Sequence, residues 1–291
     1  MSGSSPEAIG IAFAIDGNYV IPLAAAVRSI VDNCSTPERI EVVVLARDVA
    51  QRDRDLVVAS IAGTGATIDF VDVSDVDYSG LPQIGYITTT MFARLLIPQF
   101  TPPQWQRAIY LDADVLAFTD IAELWEQDLA GNLVGAVEDD LVTVAVHTRW
   151  AAQYAAAGKP GLDKAFFNSG VMLIDLAGWR RERIGERALD FARHDPASVT
   201  SSDQEALNVT MAGRWQELDP AWNVSTHYYL RPRSRRRFAE TLRNVKLRHF
   251  TTQFKPWLPV PQVPGAEEFF TYLDRTAWAG WRPAPEPVAA G

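Results

Sequence analysis

The sequence predicts an α/β fold built on one mainly parallel sheet with helices on both faces. Three observations carry that prediction. Short runs rich in Val, Ile and Phe alternate with stretches whose apolar residues fall at helical spacing. Strand–helix–strand order at this spacing favours parallel pairing through crossover helices. No internal repeat and no Gly/Ser linker divides the 291 residues, 47% of which are hydrophobic, so one large domain with a substantial core is expected.

In chain order, strands are expected at Ile9–Ile15, Ile40–Ala46, Thr67–Val73, Arg107–Leu111 and Leu133–Val137. Between them Pro22–Asn33 and Asp53–Ile61 read as helices; Pro22 is acceptable near a helix start, where its missing N–H is not needed. Beyond Asp120 the alternation is less regular. Phe166–Asp175 and Val245–Phe250 read as strands, a helix closes over Ala188–Arg193, and Asp203–Ala212 is another helix. The residues from Arg282 to Gly291, rich in Pro and Ala, are expected to fray. Ligands of such sheets sit at the carboxyl ends of the strands, which is where candidate groups are to be sought.

Composition excludes several classes. With 27 basic and 36 acidic residues the net charge is −9, which argues against a nucleic-acid binder, whose affinity rests on cations facing phosphates. The single Cys34 rules out an internal disulfide and a thiolate zinc site. The first apolar stretch, Ile9–Ile15, has no Lys or Arg ahead of it and is too short for a secretory signal, and no run approaches the ~18 apolar residues of a membrane span. A cytoplasmic protein is the expectation, and the sequons at Asn33, Asn208 and Asn223 are read as chance. Arg231–Arg237 is the one basic cluster; it reads as a solvated loop, or as a patch for an anionic acceptor or for peripheral membrane contact.

Five segments can carry chemistry. In Ile109-Tyr110-Leu111-Asp112-Ala113-Asp114 an apolar strand ends in two carboxylates at i and i+2, which project to one side of an extended chain. Carboxylates held together need a counter-ion, and a divalent cation shared with substrate phosphates meets that need; the ordinary alternative is a solvated acidic turn. Asp16-Gly17-Asn18-Tyr19 follows the first strand, with groups able to hydrogen-bond a base or ribose and a ring to stack on it, although Asp, Gly and Asn also favour a plain turn. Asn168, inside Phe167-Asn168-Ser169-Gly170-Val171, is either a satisfied core amide or a group that reads hydroxyls. Asp203-Gln204 opens a helix, where Asp commonly caps. His249-Phe250 is followed by Lys255-Pro256-Trp257, and Lys255 is one of only four lysines against 23 arginines; a compact ammonium suits phosphate as a point charge.

Together, in this order, these segments and the run Thr88–Leu95 (TTTMFARL) resemble family 8 of the retaining glycosyltransferases, the group of the bacterial lipooligosaccharide galactosyltransferases and glycogenin. The resemblance covers about Ile9 to Trp257. It implies a single Rossmann-like GT-A domain over residues 1–281, with a nucleotide-binding half at about 9–140 and an acceptor and metal half at about 141–281. It also implies a UDP-sugar donor, UDP-galactose or UDP-glucose, with Mn²⁺ or Mg²⁺, and a hydroxyl-bearing acceptor such as a glycan, a lipid-linked glycan or a natural product. Residue by residue, Asp16, Asn18 and Tyr19 resemble the uridine pocket. Asp112, Asp114 and His249 resemble the metal ligands, whose nitrogen favours Mn²⁺. Lys255 is implied at the diphosphate, and Arg94 as a brace between donor and carboxylates. Asp112, Asn168, Asp203 and Gln204 are implied around the donor sugar, and Asp139 at the donor–acceptor junction. One residue departs from the pattern: Thr252 stands where the family usually has Gly, and a β-branched residue resists positive φ and crowds the phosphate.

Alternatives remain at this point. A haloacid-dehalogenase-type phosphatase also follows an apolar strand with D-x-D, Asp112 then being the nucleophile and Asp114 the acid/base, but its pattern wants Thr or Val where Leu116 stands. A sugar-nucleotide-forming nucleotidyltransferase would need a basic, Gly-rich first loop. An inactive sugar- or nucleotide-binding relative is favoured chiefly by Thr252, while the retained Asp112, Asp114, His249 and Lys255 speak against it. Tryptophans 215, 222, 257, 278 and 281 are read mainly as core.

Overall fold

The computed structural model describes residues 7–81, 89–140, 166–194, 203–211, 213–260 and 263–284. In chain order its strands are β1 (Ile9–Asp16), β2 (Ile40–Arg47), β3 (Thr67–Asp72), β4 (Arg107–Leu111), β5 (Val115–Ala117), β6 (Val134–Glu138), β7 (Phe167–Asp175), β8 (Trp215–Glu217), β9 (Val224–Ser225) and β10 (Leu247–His249). Seven of them form the main sheet, in the order β3-β2-β1-β4-β7-β6-β8. Pairing is parallel from β3 through β2 and β1 to β4 and between β6 and β8; β7 alone runs antiparallel to both its neighbours. The predicted mainly parallel α/β architecture is the one observed.

Strand positions match the expectations to within a residue or so, because buried β-branched runs leave little freedom. The first helix spans Val20–Asn33, two residues longer than expected, and Pro22 sits in its first turn, where an N–H has no intrahelical partner anyway. Its buried face, including Leu23, Val27 and Ile30, packs on β1 and β2 in one of two core clusters flanking the sheet. The helix expected at Asp53–Ile61 spans Gln51–Ser60, and that at Asp203–Ala212 spans Asp203–Met211, Ala212 lying outside the described residues. The strand expected over Val245–Phe250 is only Leu247–His249.

A second, three-stranded sheet was not foreseen. It orders β5, β10 and β9, with β10 antiparallel to β5 and parallel to β9. His249 pairs with Val115 on one side and Ser225 on the other, so this small sheet brings the end of the Asp112–Asp114 turn beside a residue far along the chain.

Two further expectations are corrected. Arg282 is not frayed: its guanidinium forks onto both oxygens of Asp274, at 2.8 and 2.7 Å, and lies over Phe270; residues 285–291 of the expected tail lie outside the described residues. The basic cluster is not a loop, since Pro232–Arg237 forms a short exposed helix. Trp215, Trp222 and Trp257 are buried as expected, with Trp278 and Trp281 packed partly against the third core cluster. No helix among the described residues is long and apolar enough to cross a membrane.

Candidate active site

The site lies at the carboxyl ends of β1 and β4. Leu111 at the end of β4 pairs with Val171 of β7, and the Asp112 amide continues the ladder by donating to Gly170 O at 2.8 Å. Asp112 therefore stands directly against Gly170. The β6–β7 register shifts between Ala136 and Val137, so that Asn168 pairs with Val137 while Met172 pairs with Ala136. That irregularity lifts Asn168, Ser169 and Gly170 out of a plain ladder at the active edge. Gly170 has no room for a side chain, because a Cβ there would overlap His249 Cε1 and lie 2.7 Å from Asp112 Oδ2.

Asp112, Asp114 and His249 each present a ligand atom, all within 4.8 Å of one another. His249 Nε2 lies 3.1 Å from Asp114 Oδ1 and 3.6 Å from Asp112 Oδ2. Neighbouring ligands of an octahedral ion at about 2.1 Å stand about 3 Å apart, so the three groups fit one small divalent cation. The ring is oriented from behind: His249 Nδ1 is 2.9 Å from Asn223 Oδ1, an oxygen that can only accept. The proton is thereby assigned to Nδ1, and the Nε2 lone pair faces the carboxylates. Carboxylate and imidazole lone pairs converging on one point need positive charge between them, which is the chemistry of a cation site.

Two cations flank the carboxylates. Arg94 Nη2 is 3.0 Å from Asp112 Oδ1, its Nε is 3.0 Å from Asp203, and Nη1 donates to Ser169 O and Oγ at 3.2 Å. The Tyr110 hydroxyl donates to the same Asp112 oxygen at 2.7 Å. Burial pulls the Arg94 guanidinium down, but Asp112 and Asp203 outweigh it and hold the charge firmly on; burial drives the Tyr110 phenol well up. Lys255 Nζ donates to Asp114 Oδ2 at 2.6 Å and also to Phe250 O. Burial pushes the Asp114 carboxyl up, yet the Lys255 ammonium beside it holds it well below the usual carboxylate range.

Asp16, Asn18, Tyr19, Arg94, Asp112, Asp114, Asn168, His249 and Lys255 line one cleft, so the structure brings together most of the residues singled out from sequence. Asp16 accepts from the Asn18 amide at 2.9 Å, and Tyr19 packs edge-on against Trp257. Behind Asn168 lies a second group. Asn168 Nδ2 and Gln204 Nε2 both donate to Asp139 Oδ2, at 3.1 and 2.9 Å, and Gln204 Oε1 accepts from Ser169 N at 3.1 Å. Asp203, read from sequence as a cap or a sugar-facing group, is 1% exposed and instead anchors Arg94 and the Ser169 hydroxyl. Lys255, expected at a diphosphate, lies on Asp114. Thr252 is not among the described non-glycine residues with positive φ, so the strain expected at the Gly position is absent; its hydroxyl closes a local turn with Phe254.

Sequence reasoning missed Asn223, which orients His249 through its oxygen and donates to Asn168 Oδ1 at 2.9 Å. Its only sequence signal is an amide within an otherwise apolar Ala-Trp-Asn-Val run. The role of Gly170 was also missed, although the F-N-S-G-V segment was noticed.

Comparison with known proteins identifies the family and the fold. The family model for glycosyl transferase family 8 matches residues 10–260. The chain is 29% identical to general stress protein A of Bacillus subtilis, covering 94% of this chain and 95% of that protein. It is 25% identical to lipopolysaccharide 1,3-galactosyltransferase of Salmonella typhimurium, covering 95% and 81%. The crystal structure of the galactosyltransferase LgtC in complex with donor and acceptor sugar analogues superposes with a TM-score of 0.76 at 28% identity, over 96% of this chain and 98% of that one. Its fold is therefore the GT-A architecture, and the chain belongs to glycosyl transferase family 8.

Proposed function

We propose that this glycosyltransferase moves a hexose from UDP-galactose or UDP-glucose to an acceptor hydroxyl on a glycan, a lipid-linked glycan or a natural product, with retention of anomeric configuration. The observation that carries the reading is the convergence of Asp112, Asp114 and His249 in the same cleft as Asp16, Asn18, Tyr19 and Lys255. Asp112, Asp114 and His249 would hold Mn²⁺, or Mg²⁺ in its place; when bound, it supplies positive charge against the leaving diphosphate. Residues 9–140 form the nucleotide-binding half in this reading, and the later part of the chain supplies His249, Lys255 and the acceptor side.

The chain's own residues divide the remaining work. Asp16 and Asn18 hydrogen-bond the uridine and Tyr19 packs on it. Lys255 exchanges Asp114 for the diphosphate as negative charge develops there, preorganised electrostatics of the kind that contributes most to such rates. Arg94, held by Asp203, keeps Asp112 in place. Asp139 fixes the Asn168 and Gln204 amides beside the sugar. An amide is a poor nucleophile, so Gln204 acts by its dipole on the cationic sugar carbon while the acceptor enters on the face the diphosphate leaves and a phosphate oxygen takes its proton.

A phosphatase reading does not fit, because its nucleophilic Asp112 would need a free oxygen, whereas Oδ1 is held by Tyr110 and Arg94 and Oδ2 faces His249. The test is a panel of UDP-sugars with Mn²⁺ or Mg²⁺, scoring UDP release and thermal shift together. Metal-dependent release from one UDP-hexose is expected; binding without turnover of any donor would favour an inactive relative.

A further inference from the structure

The basic cluster Arg231–Arg237 lines no part of the cleft. Between Asp219 and Glu240 the chain has no acidic residue, yet it carries Arg231, Arg233, Arg235, Arg236 and Arg237. All five are exposed, on or just before the short helix Pro232–Arg237. Among the described residues none of them pairs with a carboxylate, although Arg28, Arg54, Arg214 and Arg282 do so elsewhere in this acidic chain. Arg233, Arg236 and Arg237 stand at i, i+3 and i+4 and so share one side of the helix. Arg235 turns back instead and donates to Tyr229 O at 2.6 Å. Leu230, immediately ahead of the cluster, is 47% exposed.

Packing fixes this surface to the sugar end of the site. Phe238, the residue after the helix, stacks on Tyr228 with ring centroids 3.9 Å apart, and Tyr228 packs edge-on against His227. His227 Nε2 lies 2.6 Å from Oδ1 of Asp140, the neighbour of Asp139. On another side the Tyr229 hydroxyl accepts from Arg248 Nη2 at 2.9 Å, and Arg248 belongs to β10, next to His249. The arginines are thereby held in a set relation to both Asp139 and His249.

Their chemistry narrows the partner. Guanidinium is planar, permanently charged and matched to phosphate. These side chains surround no cavity, so nothing here encloses a single phosphate. An open cationic face with an apolar side chain at its edge matches a sheet of phosphates with hydrocarbon beneath it. The rest of the chain is acidic enough to leave a net charge of −9, and it is repelled from such a sheet, so the patch also decides which side approaches. We propose that the face of Pro232–Arg237 docks on the anionic phospholipid surface of a bilayer, with Arg233, Arg236 and Arg237 on the phosphates and Leu230 among the headgroups. Docking stands apart from the transferase reading. Joined to that reading, it keeps the Asp139 end of the cleft close to the bilayer and selects the lipid-linked glycan among the acceptors.

The test is flotation of the full chain with vesicles of phosphatidylcholine, alone or with about 30% phosphatidylglycerol, at about 50 mM salt. The wild-type chain is expected to float with the anionic vesicles only and to be released at about 500 mM salt. Arg233→Gln/Arg236→Gln/Arg237→Gln is expected to lower the partition coefficient about 100-fold, at about fivefold for each arginine. Its far-ultraviolet circular dichroism and its UDP release in solution stay those of the wild type. Arg52→Gln/Arg181→Gln/Arg187→Gln removes the same charge from exposed positions elsewhere and leaves the partition coefficient within about twofold. No flotation with anionic vesicles, equal flotation with both kinds, or wild-type partitioning of the first variant overturns the inference. Release by about 10 mM inorganic phosphate at constant ionic strength also overturns it, by revealing a site for a single anion. No donor, metal or turnover enters the flotation, so these outcomes leave the transferase reading standing, and a chain that floats but releases no UDP leaves the docking standing.

Discussion

Asn223 accepts the Nδ1–H of His249 at 2.9 Å, which leaves the opposite ring nitrogen facing Asp114, 3.1 Å away. Asn223 never enters the ligand set, yet it selects the tautomer that can ligate. Groups behind a metal-binding imidazole typically affect affinity about 10- to 100-fold. Asn223→Ala is accordingly expected to weaken Mn²⁺ binding in the presence of UDP by about tenfold or more, measured by calorimetric titration, with Asn223→Asp retaining more of it because an acceptor oxygen remains.

Gly170 makes the close approach of Asp112 and His249 possible. Gly170→Ala would press a methyl group onto His249 Cε1 and Asp112 Oδ2. The expected result is loss of the UDP-dependent thermal shift with Mn²⁺, while the far-ultraviolet circular dichroism stays that of the folded protein. Normal Mn²⁺ binding by the Gly170→Ala variant would show that the two ligands do not act on one ion.

Arg94 joins Asp112, Asp203 and Ser169 through separate nitrogens of one planar group, beside the face of Tyr110 at 4.9 Å. A lysine cannot make these contacts at once. Arg94→Lys should destabilise the fold by about 3 kcal/mol, the scale of breaking a buried pair and leaving a charge behind, and should lower kcat as well. Urea denaturation measures the first effect and UDP release the second.

Acid should loosen the site from its centre. Asp114 is held below its ordinary value of 3.8, so its contribution is fully present above that value and is lost as pH falls through its lower folded value. In EDTA, the Tm of the wild-type protein should therefore drop as pH falls below about 4. Asp114→Asn should start lower at neutral pH, since Lys255 loses the carboxylate it pairs with, and should show a shallower acid slope. Parallel acid slopes for the two proteins would place the sensitivity elsewhere.

How much of this was legible in the sequence varies by the kind of contact. The strands of the main sheet were readable because β1, β2 and β4 are buried on both faces and carry near-continuous apolar runs. The Asp112–Asp114 pair was readable because two carboxylates close an apolar strand, although the pair itself stands in the turn between β4 and β5. The sheet formed by β5, β10 and β9 was not, since strands of two or three residues leave no periodic trace. Asn223 escaped for the same reason: it acts through its contact with His249 of β10, 26 residues further along the chain. Asp203 shows the converse limit. Its place at a helix start suggested a cap, and only the tertiary contact with Arg94 reveals a buried counter-ion.

The central claim is that Asp112, Asp114 and His249 grip one divalent cation beneath a nucleoside diphosphate. Anomalous diffraction from crystals soaked in Mn²⁺ and UDP tests it most directly. The account predicts one manganese peak within bonding distance of all three side chains, with the Lys255 ammonium moved from Asp114 to a phosphate oxygen. A cleft that takes up UDP with no manganese between these residues, or a peak that leaves His249 unbound, would contradict it.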